Sequence, residues 1–132
     1  MDHNTFQPSD AELDILQVIW ELQPVTVRDI FERIGAVKGV GYTTILKQVQ
    51  RLTEKGALSK TDAPSGAHLY SALFSETQVK KGLANKLLHA AFSGSALQLM
   101  QHALGDGERV SADELDALKQ WLDQQKNQND AL

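Results

Sequence analysis

The sequence has no cysteine among its 132 residues. Without thiols the chain can form no disulfide, no thiolate metal site and no cysteine nucleophile. No apolar run approaches the roughly 20 residues that span a bilayer. The N-terminal stretch 1–9 is polar, unlike a secretory signal peptide. Together these absences predict a soluble, cytoplasmic protein with no membrane insertion.

The sequence patterns typical of enzymes are absent as well. The four histidines, at positions 3, 68, 89 and 102, show no metal-binding spacing with one another. There is no Gly-rich phosphate loop and no nucleophile motif. The carboxylates mostly fall at predicted helix starts, where capping and the helix dipole explain them. The sequence therefore predicts no catalytic residue, no metal and no cofactor.

Charge is distributed unevenly along the chain. The net charge is −4, which by itself argues against a simple nucleic-acid binder. The segment 38–60, however, holds five basic residues and one acidic residue, a net +4, so the rest of the chain carries −8. One basic stretch in an acidic protein fits a localised DNA contact. On charge alone, a solvated helix face explains it equally well.

Hydrophobic residues make up 42% of the chain, enough for a packed core in one domain or two very small ones. Helix starts are recognisable because a Ser or Thr is followed three residues later by an acid or amide, which satisfies two backbone donors reciprocally. These pairs are Ser9/Glu12, Thr26/Asp29, Ser75/Gln78, Ser95/Gln98 and Ser111/Glu114. With the apolar periodicity they predict helices over about 10–21, 27–37 and 42–55, a hairpin formed by 57–62 and 68–73, and helices over 76–92, 96–104 and 112–125, followed by a frayed polar tail.

Three helices followed by a two-stranded wing form a winged helix-turn-helix, whose third helix enters the major groove of DNA. On a helical wheel the predicted third helix has two faces. The core face holds Tyr42, Ile45, Val49 and Leu52, and Leu46 lies between the faces. The polar face holds Thr43, Lys47, Gln50, Arg51 and Glu54, with Thr44 at its edge.

The polar face suits DNA. Arg and Lys can bind guanine edges or phosphate, Gln can bind adenine, and a Thr methyl can pack on a thymine methyl. An ordinary surface helix, or a winged helix that binds protein, remains an alternative, although a protein contact would favour apolar residues on this face. The predicted DNA contacts are Thr43, Thr44, Lys47, Gln50, Arg51 and Lys55 in the third helix, and Lys60 and His68 in the wing.

The helices after residue 75 carry more apolar surface than about fifty residues can hide alone, and this predicts a homodimer. A self-contained three-helix core is one alternative, and a ligand pocket lined by Met100 and Trp121 is another. The fold class is thus mainly α, with a winged-helix DNA-binding domain at 1–74 and a helical dimerisation domain at 75–132. The predicted dimer residues are Val79, Leu83, Leu87, Leu97, Met100, Leu104, Leu115, Leu118, Trp121 and Leu122.

Several segments resemble the penicillinase-repressor family, which includes the BlaI, MecI and CopY repressors. The resemblance covers about Ser9 to Leu122, nearly the whole chain. The Tyr-Thr-Thr stretch is its most specific part, and the tail pattern is weak. The segments are SDAEL at 9–13 with VIW at 18–20, VGYTTILK at 40–47 with RL at 51–52 and EKG at 54–56, HLY at 68–70, and EL at 114–115 with Leu118.

The resemblance implies a homodimeric repressor of resistance or stress genes that binds a dyad-symmetric operator on double-stranded DNA. It places Thr43, Thr44, Lys47 and Arg51 at the DNA. It also implies an inducing protease or membrane sensor. Release by a small ligand is a separate alternative, and no sequence feature identifies such a ligand. The family's resistance members are cut between Asn and Phe, and the corresponding position in this chain is Ala103 and Leu104, a candidate cleavage site that lacks both of those residue types. Copper(I) sensing by a cysteine cluster is excluded.

Overall fold

The computed structural model describes residues 6–105 and 110–130 of the chain. Its N-terminal half holds helices and one hairpin, and its C-terminal half is helical. The elements in chain order are α1 (Asp10–Leu22), α2 (Val27–Ile30), a π-helical turn (Phe31–Gly35), α3 (Ala36–Lys38), α4 (Tyr42–Glu54), β1 (Leu58–Asp62), β2 (His68–Ala72), α5 (Glu76–Phe92), α6 (Ala96–Leu104) and α7 (Ala112–Asp130).

Capping side chains fix the helix starts. The Ser9 hydroxyl accepts from the backbone N–H of Glu12, whose carboxylate accepts from the N–H of Ser9. The pairs Thr26/Asp29 and Ser75/Gln78 close the same reciprocal bonds. At Ser95 and Ser111 the described bonds include only the serine half. All five predicted helix starts are therefore confirmed, three of them with complete capping boxes.

The predicted second helix differs from the structure in its interior. It is helical from Val27 to Lys38, but its middle turn, Phe31–Gly35, is a π-helix. Gly35 is buried, and a Cβ added there would lie 2.4 Å from Cδ1 of Phe31. The missing side chain thus makes room for the Phe31 ring. A wheel drawn at the ordinary helical period could not show this widened turn.

One hydrophobic core, formed by residues between Ile15 and Tyr70, joins the helices α1, α2 and α4 to the hairpin. The largest fully buried side chains come from α1, from Val25 before α2, from Ile30, and from α4. The hairpin pairs in antiparallel register, with Lys60 opposite Tyr70. Val25 adds to the sheet by exchanging two backbone hydrogen bonds with Tyr70, at 3.0 and 2.8 Å. The hairpin is therefore joined to the segment between α1 and α2. The predicted two-stranded wing is confirmed.

The chain divides into two compact units, Met1–Asn85 and Lys86–Leu132, and the division falls within α5. The domain boundary proposed from the sequence, between residues 74 and 75, stays a prediction. The last helix runs to Asp130, so the expectation of a frayed tail from Lys126 is wrong. No Gly or Pro follows Gln125 to stop that helix, and its polar residues are tolerated on an exposed helix surface.

Candidate nucleic-acid interface

Helix α4 is amphipathic with sharply different faces. It starts after Gly41 and ends at Glu54, with Lys55 as its C-cap, and Gly56 follows with a left-handed backbone, φ +83°. The side chains of Ile45, Val49 and Leu52 are buried in the core. These three residues fix which way the rest of the helix points.

The opposite face of α4 is open to solvent. Its side chains combine two cations with hydroxyl and amide groups, the mixture that base edges and phosphates require. None of the ion pairs found within residues 6–105 and 110–130 involves Lys47 or Arg51. The exposed residues on this side are Thr43, Thr44, Lys47, Gln50, Arg51 and the acidic Glu54.

Lys55 is placed differently from those residues. Its ammonium group lies 2.7 Å from the carboxylate of Glu12, a residue of α1 that is only 6% exposed. Burial acts to raise the pKa of Glu12, but hydrogen bonds from Lys55 and Ser9 outweigh it, and the net effect lowers the pKa. Lys55 therefore ties α4 to α1. Half of the Lys55 side chain stays exposed, so its contact with DNA stays a prediction.

The wing contributes one open cation and one paired histidine. Lys60 is exposed on β1 and takes part in none of the ion pairs of the described chain. His68, opposite Asp62 in the hairpin, has its Nδ1 2.8 Å from that carboxylate. His68 lies at the turn end of the hairpin, whereas Lys60 lies in the middle of β1, opposite Tyr70. Lys60 is thus the stronger of the two predicted wing contacts.

Sequence reasoning missed an aromatic and cationic pair beside the start of α4. Tyr42 was assigned to the core face, yet it is 39% exposed, so that assignment is wrong. Its ring packs edge-on against Phe31, and the guanidinium of Arg28 lies 5.6 Å from its centroid. Because α4 meets α2 at this end, the ring faces a neighbouring helix and solvent instead of the core. The spacing of Arg28 and Tyr42 gave no sign of this contact.

The apolar residues of the second unit are poorly covered. No residue of α6 or α7 is buried. Leu97 is 67% exposed and Trp121 is 53% exposed. Val79, a predicted dimer residue in the first unit, differs, since it is only 5% exposed and its own chain already covers it. The other predicted dimer residues are half-buried or exposed: Leu83, Leu87, Met100, Leu104, Leu115, Leu118 and Leu122.

The candidate cleavage position lies at the end of a helix. Ala103 and Leu104 end helix α6, with Ala103 exposed and Leu104 half-buried. None of the helices in the described ranges is long and apolar enough to cross a membrane. Among the described residues no cluster of three potential metal ligands occurs, and His3 lies outside them.

Sequence comparisons agree on one family. The family model described as Penicillinase repressor matches residues 8–124. The transcriptional regulator BlaI of Mycobacterium tuberculosis is 32% identical over 115 residues, which are 86% of this chain and 80% of that protein. The methicillin resistance regulatory protein MecI of Staphylococcus aureus is 27% identical over 126 residues, covering 92% of this chain and 98% of that one.

A structural comparison supports the fold. The PcaV transcriptional regulator from Streptomyces coelicolor superposes with a TM-score of 0.52, covering 92% of this chain and 76% of that chain. At 19% sequence identity this likeness concerns the fold alone. The architecture is a winged helix-turn-helix followed by helices, as the sequence predicted.

Proposed function

Because the chain belongs to the penicillinase-repressor family, we propose that it is a homodimeric transcriptional repressor that binds a dyad-symmetric operator on double-stranded DNA. The observation that carries this proposal is the solvent-exposed polar face of α4, set opposite its buried Ile45, Val49 and Leu52. A helix in this position of a winged helix-turn-helix enters the major groove. The protein acts by occupying DNA, not by catalysis, and it works in the cytoplasm.

Each exposed group on α4 has a specific use. Lys47 and Arg51 lie one turn apart, so both can reach the same groove, on guanine edges or on the phosphates that line it. Gln50 suits adenine, and the Thr43 and Thr44 side chains offer methyl and hydroxyl groups to thymine or phosphate. Lys60 reaches the backbone from the wing. Lys55 is a further proposed contact, and a phosphate there would compete with Glu12 for its ammonium group.

The second unit supplies dimerisation. Helices that bury none of their residues fully gain little from the hydrophobic effect until another surface covers them. A second copy of the chain is the natural cover, since two-fold symmetry also doubles the contacts to a dyad operator. The exposed Leu97 and Trp121 lie at the centre of this proposal. Val79 takes no part in it.

The proposed target genes and the proposed means of release from DNA are taken from the family. The names of the relatives tie them to penicillinase and to methicillin resistance, and we propose resistance or stress genes as the targets of this chain. An inducing protease, or a membrane sensor that activates one, is the proposed means of release. The corresponding site, Ala103 and Leu104, lies in a helix. A protease must therefore unwind the end of α6 before it can cut there, because proteases bind extended chain.

The proposal is tested by selecting bound duplexes from a random pool and measuring their affinity at two salt concentrations. Enrichment of an inverted repeat, with affinity that falls as salt rises, is the expected result. Absence of both enrichment and binding at low salt would contradict DNA binding and favour a winged helix that binds protein. A thermal shift with candidate inducers would reveal a ligand-released repressor instead of a protease-released one.

A further inference from the structure

We propose that Arg28 and Tyr42 form a preorganised phosphate clamp beside helix α4, in which the Tyr42 ring holds the Arg28 guanidinium against the DNA backbone. The inference rests on the proposed function and adds a contact from α2, outside the helix that reads the bases. It assigns the clamp a defined chemical target, a phosphodiester oxygen of the strand that borders the major groove.

The geometry of the pair is fixed from two sides. The Cζ atom of Arg28 lies 5.6 Å from the centroid of the Tyr42 ring, within cation–π range. Phe31 packs edge-on against the same ring, with centroids 5.8 Å apart and an interplanar angle of 73°. Phe31 therefore braces the ring while Arg28 lies over it. A guanidinium stacked in this way loses less conformational freedom when it binds an anion.

The charge of Arg28 is not neutralised within the described part of the chain. Its sequence neighbour Asp29 turns back to accept the backbone N–H of Thr26, at 3.1 Å, as part of the capping box. No ion pair in the described ranges involves Arg28. Arg33, in the same helical segment, is neutralised by an ion pair, since its guanidinium lies 2.6 Å from the carboxylate of Glu21. Of the two arginines in this helical segment, Arg28 and Arg33, only Arg28 can accept an external anion without breaking an ion pair seen here.

Docking geometry brings Arg28 to the DNA backbone. When the second helix of a helix-turn-helix lies in the major groove, the first helix crosses the phosphates at its edge. Here α2 and α4 are those two helices, and Arg28 lies in the first turn of α2, next to the first residue of α4. Arginine matches phosphate because its planar fork can donate two parallel hydrogen bonds. Such a contact sets register and adds affinity equally for all sequences.

The test compares Arg28→Ala with Arg33→Ala, two variants that remove the same charge from the same helical segment. Each lost phosphate contact lowers the slope of log affinity against log salt by about 0.9, so a dimer loses about 1.8. Between about 50 and about 200 mM salt, the affinity penalty of Arg28→Ala should therefore shrink about 12-fold. Its penalty should be equal on the selected operator and on a scrambled duplex. Arg33→Ala should keep the wild-type slope.

Tyr42 is a positioning residue, and two variants separate its ring from its hydroxyl. Tyr42→Phe keeps the stacking surface and should bind within about twofold of wild type, since the quadrupole of the ring is retained. Tyr42→Leu removes the ring and should weaken binding. Adding Arg28→Ala to Tyr42→Leu should cost little more than either change alone, because both act on one contact. Circular dichroism and thermal unfolding confirm that each variant is folded.

The outcomes separate this inference from the proposed function. If wild-type protein selects no duplex, the proposed function fails and the clamp fails with it. If wild type selects an operator but Arg28→Ala and Arg33→Ala share one salt slope, only the clamp is overturned. Additive losses for Arg28→Ala and Tyr42→Leu would refute the stacking role of Tyr42 and leave Arg28 as an independent contact.

Discussion

The ion pair between Glu12 and Lys55 should stabilise the winged-helix unit in a pH-dependent way. The Glu12 side chain is 8% exposed and accepts both the Ser9 N–H, at 2.9 Å, and the Lys55 ammonium, at 2.7 Å. Replacing Glu12 by Gln keeps an oxygen for Ser9 and removes the negative charge. The substitution therefore isolates the contribution of the pair that joins the start of α1 to the end of α4.

The expected magnitude follows from burial. A hydrogen bond to a charged group contributes roughly 1.5–3 kcal/mol net. Since the Lys55 side chain is 50% exposed, water screens the pair and reduces the expected cost of Glu12→Gln to about 1–2 kcal/mol. Folding lowers the pKa of Glu12. Its contribution is therefore complete above the ordinary carboxyl pKa of about 4.3 and is lost as the pH falls through the lower, folded-state pKa.

Urea unfolding of wild type and Glu12→Gln, at equal protein concentration, measures this effect. The difference in free energy of unfolding should be about 1–2 kcal/mol at neutral pH and should vanish in acid below the folded-state pKa. The matched control is Glu76→Gln, which removes the charge from the exposed pair with Lys80 and should cost at most about 0.5 kcal/mol. A Glu12→Gln effect that is absent at neutral pH, or unchanged in acid, would refute the reasoning.

Three further predictions concern packing, capping and assembly. Gly35→Ala should destabilise the first unit by about 1–3 kcal/mol in thermal unfolding, because the new Cβ meets the Phe31 ring at 2.4 Å; an unchanged midpoint would contradict the close approach. Thr26→Ala should cost about 1 kcal/mol through loss of the N-cap of α2, and Thr26→Ser, which keeps the hydroxyl, should restore most of it. Trp121→Glu should shift the protein toward monomer in light scattering, whereas the neighbouring exposed Gln120→Glu should not; equal masses for both variants would place the dimer surface elsewhere.

Much of the fold could be predicted because its determinants are local. A capping serine or threonine needs only a partner three residues away, and the glycine at position 56 ends a helix by its own backbone freedom. The period of Ile45, Val49 and Leu52 fixes the buried face of α4 and therefore also its exposed face. Lys47 and Arg51 could be placed on that exposed face from the sequence for the same reason.

The features that escaped prediction depend on distant or non-ideal contacts. The ion pair between Lys55 and Glu12 joins residues 43 positions apart in the chain, so no local pattern indicated it. Tyr42 was expected in the core because a helical wheel gives the direction of a side chain but not the extent of the neighbouring helices, which leave this ring partly exposed. The contact with Arg28 joins two helices. Val79 is apolar like the other residues of the predicted dimer surface, and only the three-dimensional packing shows that its own chain buries it.

The central claim is that the exposed face of α4 reads DNA, and Lys47→Ala/Arg51→Ala tests it most directly. The control is Arg33→Ala/Lys80→Ala, which removes two cations that are paired with Glu21 and Glu76, away from that face. Both proteins are titrated by fluorescence anisotropy against the selected operator and a scrambled duplex. Each lost base contact costs about 1–3 kcal/mol, so the α4 variant should lose at least about 10-fold in affinity for the operator, and its preference over the scrambled duplex should fall. If the α4 variant binds the operator as tightly and as selectively as the control, α4 does not read the DNA.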